Sequence, residues 1–275
     1  MVKVEVTDDT FWNFVRAREE IRVRRLAGQK PPWTDDPILQ KFHFCNVQRK
    51  HDHGTWWYMV NIVPAANATI RDLIFRTVLY RLVNNVTWFQ QVGIFGLKGW
   101  KKKGGYWPRR VSRAPQPYSL AYPMALASGK GSHLEVVVRA LDQMTKPEPL
   151  NSLARMSQHG EDLGAFHEKL QRIDGVGPFI ALQIYRDLFL AESLPNMDEE
   201  SFIHLGPGAQ YFGKLIGKES YPEQYALCLN LWTGQPKDIQ PPLLLGDIEH
   251  CMCETAKYVK RQEGRGRRRY YKPHG

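Results

Sequence analysis

Three stretches of this chain carry reactive side chains at spacings that make chemistry feasible. The first lies near the N-terminus. At about 100° per residue, Phe11, Phe14 and Val15 share one helix stripe, and Arg18, Arg22 and Arg25 continue it. Arginines on a core-facing stripe need partners, because an unpaired buried charge is costly. Those partners are carboxylates of the protein or a bound phosphate, which a guanidinium grips in a bidentate fork. A partly exposed helix end is the plainer alternative. The second stretch is Phe42-His43-Phe44-Cys45-Asn46-Val47-Gln48-Arg49, read as the end of a helix over 38–49. Asn46 and Arg49 are three apart and would share a face there. An amide beside a guanidinium suits a pyrimidine edge or an anion, although packing and capping explain the pair equally well. Cys45 would serve as a nucleophile only with a depressed pKa, which nothing in the sequence indicates. The third is Asp247-Ile248-Glu249-His250-Cys251-Met252-Cys253-Glu254. Here His250 and Glu254 are one turn apart, giving either an acid/base pair or a surface ion pair.

Two further features point to nucleic acid. Leu170-Gln171-Arg172-Ile173-Asp174-Gly175-Val176-Gly177-Pro178 reads as a helix, a glycine hairpin and a second helix to about Leu188. Leu163, Phe166, Leu170 and Ile173 stripe the first helix; Ile180, Ala181, Ile184 and Leu188 stripe the second. Gly175, Val176 and Gly177 would let the backbone approach a DNA phosphate, and Pro178 suits a first helical turn. A glycine-capped αα-hairpin without DNA fits the same pattern. The tail is strongly basic. From Lys257 onward eight basic residues and one acid give +7 of the net +10, leaving +3 for the other 256 residues. Arg267, Arg268 and Arg269 beside Tyr270 and Tyr271 combine phosphate neutralisation with base stacking. Gly206-Pro207-Gly208-Ala209 is either an anion-binding turn opening a helix or a simple turn.

These residues must be held by a mostly helical frame. Alternating strand patterns are few, and helices are expected at about 9–27, 38–49, 69–85, 131–144, 161–173, 178–191, 222–232 and 246–262. The stretch 93–108 reads as an exposed basic loop, and 113–123, with three prolines, as another. The expectation is an all-α, helix-hairpin-helix frame with long loops. Its regions would be 1–110, 111–256 and a basic tail over 257–275. A chain that is 43% hydrophobic with 8 Trp, 12 Tyr and 12 Phe can bury a sizeable core. No apolar run reaches the roughly 18 residues of a membrane span, and the N-terminus shows no signal region, so the cytoplasm is the expected compartment. The four cysteines, Cys45, Cys228, Cys251 and Cys253, have no zinc-type or iron–sulfur spacing and read as free thiols. His51 and His53 are a weak metal pair. No metal is expected.

The motifs taken jointly resemble one family. Phe11-x-x-Phe14-Val15-x-x-Arg18-x-x-Ile21-Arg22, Pro32-Trp33-Thr34-x-Asp36-Pro37-Ile38-Leu39 and Phe44-Cys45-Asn46-Val47-x-Arg49 carry the N-terminal half. The Gly-Val-Gly hairpin, Gly206-Pro207-Gly208-Ala209 and Ile248-Glu249-His250-x-x-Cys253-Glu254-x-x-Lys257-Tyr258 carry the C-terminal half. Over about 10–260 the chain is similar to the α-glutamyl/putrescinyl thymine pyrophosphorylases of bacteriophages, relatives of amino acid:DNA transferases with a DNA glycosylase-like helical fold. The resemblance implies a DNA base hypermodification transferase in the host cytoplasm. It would displace phosphate or pyrophosphate from 5-phosphomethyluracil in double-stranded DNA with glycine, another amino acid or putrescine. The base would flip into a pocket. Arg18, Arg22 and Arg49 would hold the leaving phosphate, Asn46 would read the uracil edge, and Asp198, Glu249 or His250 would be the base. Asp198 enters because glycosylases of this architecture place a catalytic Asp about twenty residues past the hairpin. Pro178 and Phe179 stand where a lyase lysine would fall, which argues against Schiff-base chemistry. No pyridoxal-type lysine motif or nucleotide-binding loop is visible, so no cofactor is expected. A glycosylase excising a modified pyrimidine and a non-catalytic DNA-binding module are the alternatives.

Overall fold

The computed structural model describes residues 5–65, 69–100, 106–115 and 132–266, the side chains of Pro108 and Ser112 excepted. The described residues contain helices and no strand. In chain order the helices are α1 Asp8–Leu26, α2 Pro37–Lys41, α3 His53–Trp57, α4 Ile70–Val83, α5 Val86–Val92, α6 Leu97–Trp100 and α7 Tyr106–Ser112. After these come α8 His133–Thr145, α9 Pro147–His159, α10 Leu163–Leu170, α11 Pro178–Leu190, α12 Pro207–Leu215, α13 Tyr221–Thr233 and α14 Leu245–Gln262. A short 3₁₀ turn, Arg49–His51, precedes α3, and a π turn, Tyr58–Ile62, follows it. The all-α expectation therefore holds. No helix among the described residues is long and apolar enough to cross a membrane.

The chain divides into two compact units, and the cuts are not those expected from sequence order at 110 and 256. One unit is residues 1–52 with 205–275; the other is 53–204. The first unit is discontinuous because α1 packs on α14, from opposite ends of the chain. The expected tail also begins too early: α14 continues to Gln262, so Lys257 and Lys260 are helical. Arg267, Arg268 and Arg269 lie outside the described residues.

In the first unit Phe14, Ile21, Leu39 and Phe44 form a core with Trp33, Ile38 and Tyr258 against it. The Phe14 ring sits 5.5 Å from those of both Phe44 and Tyr258. Asp36 caps α2, accepting from the amides of Ile38 and Leu39 at 2.7 and 3.0 Å, and Pro37 takes the first helical position. The Asp36 carboxylate also accepts the Tyr258 hydroxyl at 2.5 Å. The helix expected over 38–49 stops at Lys41, and residues 42–48 carry no helix. Carboxylates, one nearby and two from α14, claim the amides a helix would use. Cys45 N–H donates to Glu254, Asn46 N–H to Asp52 and Arg49 N–H to Asp247.

In the second unit α4 is buried on nearly every face and packs against α9 and α11. Thr69 caps its start and Asn84, at φ +44°, ends it in a left-handed turn. The stretch 93–108 is not one exposed loop: Leu97 and Trp100 on α6 are buried, and Trp100 Nε1 donates to Asp142 at 2.9 Å. The hairpin is present between α10 and α11, with its first helix ending at Leu170 rather than Ile173. Gly175 takes φ +76°, and a Cβ there would lie 2.4 Å from the Val136 side chain, so conformation and space both demand glycine.

Candidate functional site

The first unit gathers a polar cluster from three segments that sequence order keeps apart: α1, residues 44–52 and α14. Arg18 is 7% exposed. Its Nη2 donates to Asn46 Oδ1 at 2.8 Å and to the Phe44 carbonyl at 3.4 Å. Its Nη1 is buried and meets no acceptor among the described residues. Burial pushes the Arg18 pKa down, and Asp52 and Glu254 partly counter this. Asn46 Nδ2 donates to the His51 carbonyl at 2.8 Å and to Asp52 Oδ1 at 3.1 Å. Asp52 Oδ1 also accepts the Asn46 amide at 2.8 Å, while Oδ2 faces His250 Nε2 at 3.8 Å.

Glu254 closes the other side. Its Oε2 accepts from the Cys45 amide at 2.9 Å and from Lys257 Nζ at 2.5 Å. Burial opposes its ionisation, but Lys257, His250 and the Cys45 amide outweigh burial and hold its pKa below the ordinary carboxylate range. Lys257 is raised for the reciprocal reason: burial lowers it, and Glu254 more than compensates. Cys45 Sγ, a carboxylate oxygen of Asp52 and a ring nitrogen of His250 lie within 4.8 Å of one another.

The sequence-derived residues separate on this frame. Arg18, Asn46 and His250 come together. Asn46 is not on a helix, and its side-chain atoms are engaged by Arg18, His51 and Asp52. Arg22 points its guanidinium at Glu19, with Nη2 to Oε1 at 2.5 Å. Arg49 is buried beside Asp247, and Arg25 stacks over Trp33 at 5.2 Å, so the arginine stripe does not converge as one clamp. Glu249 is 2% exposed and accepts the Gly206 amide at 2.9 Å, holding the start of α12. His250 meets the Asp52 carboxylate rather than forming the expected pair with Glu254 alone. Asp198 belongs to the second unit, where it is exposed and its Oδ1 accepts from the Glu200 amide at 2.9 Å. Gly175, Val176 and Gly177 form the hairpin turn, in which neither glycine donates its amide to a backbone carbonyl. The second unit also carries a cleft of about 660 Å³ lined by Tyr106, Arg109, Arg110 and Arg113. Asp52 was missed by sequence reasoning. The signal was there: a carboxylate six residues beyond Asn46 in a polar, turn-prone run.

None of the four cysteines is joined in a disulfide. Burial, then Glu254 and Asp52, pushes the Cys45 thiol well above its ordinary value, and burial raises Cys253 to about 12. Cys228 is raised in the same way. A ring-attacking thiolate at Cys45 is thus disfavoured. Native protein at pH 8 is expected to take up a thiol-specific reagent at least tenfold more slowly than urea-unfolded protein, as read by mass spectrometry. Rapid labelling of native Cys45 would contradict this electrostatic reading.

Comparison with known proteins gives the relationship. The family model described as "5-hmdU DNA kinase, helical domain" matches residues 5–267. The chain is 24% identical over 299 residues to the 5-hmdU DNA kinase of Bacillus phage SP10, an alignment covering 92% of this chain and 45% of that protein. The chain thus spans less than half the length of that relative. No solved structure matches. These findings overturn the expected transferase. A kinase attaches the phosphate that a pyrophosphorylase-type enzyme would displace, so the phosphate-displacing reaction, its glycine or putrescine co-substrate and the glycosylase alternative give way. What survives is the relationship to a phage protein whose name refers to 5-hmdU in DNA. On a match over nearly its whole length, the chain belongs to the family of 5-hmdU DNA kinase helical domains.

Proposed function

We propose that this chain takes part in phosphorylating 5-hydroxymethyluracil in DNA, supplying the site that recognises the modified base while a nucleotide provides the phosphoryl group. The observation that carries the reading is the family match over residues 5–267. The polar cluster of the first unit supports it. A buried guanidinium nitrogen without an acceptor, on Arg18, is the donor that the 5-hydroxymethyl oxygen, the one group thymine lacks, would satisfy, at a gain typical of a charge-assisted hydrogen bond. Asn46 fixes that guanidinium instead of reading the base itself. A base read this way must leave the helical stack. In the second unit, the hairpin at Gly175-Val176-Gly177 and the exposed Arg109 and Arg113 are suited to phosphate contacts that carry no sequence information.

The test is fluorescence anisotropy with matched duplexes containing 5-hydroxymethyluracil or thymine. The modified duplex is expected to bind at least fivefold more tightly. Arg18→Gln should bring the affinity for the modified duplex down to that for thymine DNA, a loss of about fivefold or about 1 kcal/mol, and leave thymine DNA binding nearly unchanged. Equal affinity of the wild-type chain for both duplexes would refute the reading. A second measurement adds ATP and magnesium and looks for a phosphorylated nucleoside after digestion.

A further inference from the structure

We infer that Cys45, Asp52 and His250 form a binding site for a single borderline-soft divalent metal ion of the zinc type. The three donors are a thiol, a carboxylate and an imidazole. They come from residues 42–48, from the residue that closes the 3₁₀ turn, and from α14. Only the tertiary fold brings them within 4.8 Å of one another. Zinc bonded at about 2.0–2.3 Å to such ligands separates them by roughly 3.3–3.8 Å in a tetrahedral site. The 3.8 Å between His250 Nε2 and Asp52 Oδ2 is already at that span.

The surroundings resemble the outer shell of a metal site. Asp52 Oδ1 is held twice by Asn46, through its amide and Nδ2, which leaves Oδ2 as the free oxygen. The Cys45 backbone is pinned by Glu254, and Glu254 is in turn neutralised by Lys257. Arg18 spends Nη2 on Asn46 and the Phe44 carbonyl. Metal binding would take Cys45 as the thiolate, its proton passing to solvent. Thiolate and imidazole donors select zinc, cobalt or iron over magnesium and calcium, which prefer oxygen. Three protein ligands leave one position for water or a substrate oxygen.

The test uses the whole chain, stripped with a chelator and titrated with cobalt(II) as an optical probe and then with zinc. One equivalent of cobalt should bind, with visible d–d bands of tetrahedral intensity and a near-ultraviolet thiolate-to-metal band. Zinc should displace it stoichiometrically, with proton release. Cys45→Ser should abolish the near-ultraviolet band, and Asp52→Asn and His250→Ala should each weaken zinc at least tenfold, whereas Cys228→Ser should change nothing. The cobalt spectrum of the wild-type chain decides the matter even if a variant folds poorly. Absence of the thiolate band at stoichiometric cobalt would overturn the site, as would full zinc affinity in all three ligand variants. Neither outcome bears on the preference for hydroxymethylated DNA, which is measured without added metal.

Discussion

Asp187→Ala is expected to destabilise the protein by about 3–5 kcal/mol, the cost of leaving a buried charge without its partner. Asp187 is fully buried, and the Arg81 side chain is 4% exposed. Their contact is bidentate: Arg81 Nε reaches Asp187 Oδ2 and Nη2 reaches Oδ1, both at 2.5 Å. The Arg81 guanidinium also lies over the Tyr80 ring at 5.1 Å, and Nη1 donates to Asn84 at 3.2 Å. These contacts orient the cation and do not neutralise it. The pair joins α4 to α11, so its loss should loosen the second unit first. Thermal unfolding should show a midpoint lower by about 10 °C, given roughly 2–4 °C per kcal/mol at this chain size. The pair need not be a net stabiliser. Replacing both residues with apolar ones of similar volume (Arg81→Met with Asp187→Leu) should recover most of the loss, because the desolvation cost disappears with the charges. A loss below 1 kcal/mol for Asp187→Ala would mean that water reaches Arg81.

Gly208→Ala should cost about 1–3 kcal/mol through overpacking, although alanine is the better helix former. A Cβ at Gly208 would sit 2.1 Å from Cys253 Sγ, 2.9 Å from its Cβ and 3.2 Å from its Cα. The side chain could turn aside, but the backbone of α14 could not without parting from α12. A double-mutant cycle checks the mechanism. Cys253→Gly removes the two closest atoms, so the double variant should lose less stability than the two single changes combined. Simple additivity, or a Gly208→Ala variant more stable than wild type, would show that α12 and α14 do not approach this closely. The same geometry reinterprets Gly206-Pro207-Gly208-Ala209. Gly206 donates its amide to the buried Glu249, and Gly208 admits α14. The motif is thereby a helix-packing joint, and nothing in it requires an anion.

Much of the helical frame was legible because local signals agree with one another. Pro178 after Gly177, Thr69 before Ile70 and the apolar stripes of α10 and α11 each mark a boundary or a face without help from the rest of the chain. Failures occurred where side-chain carboxylates, most of them distant in sequence, outbid local preference. Residues 42–49 carry a helix-compatible pattern, yet carboxylates of Asp52, Asp247 and Glu254 take their amides, and the chain extends. Leu97 and Trp100 were hidden by the lysines and glycines around them.

The candidate site shows the same division. Residue types alone singled out Arg18, Asn46, Cys45, His250 and Glu254 as groups able to do chemistry, and the motif run pointed to hydroxymethylated DNA. The proposal that the chain serves the making of a phosphate ester, rather than its displacement, rests on the relationship to a kinase. Which side chains meet was decided by tertiary structure. Glu249 and His250 are neighbours in sequence on α14, but one faces the start of α12 and the other faces Asp52. A helix turns successive residues by about 100°, so adjacent positions serve different partners. The sequence determined a helical chain and singled out an arginine and an asparagine, Arg18 and Asn46, that the fold brings together. Asp52 reaches Asn46 locally, but only packing α14 against α1 and residues 44–52 brought in Glu254 and His250, because contacts bridging some two hundred residues leave no local periodicity to read.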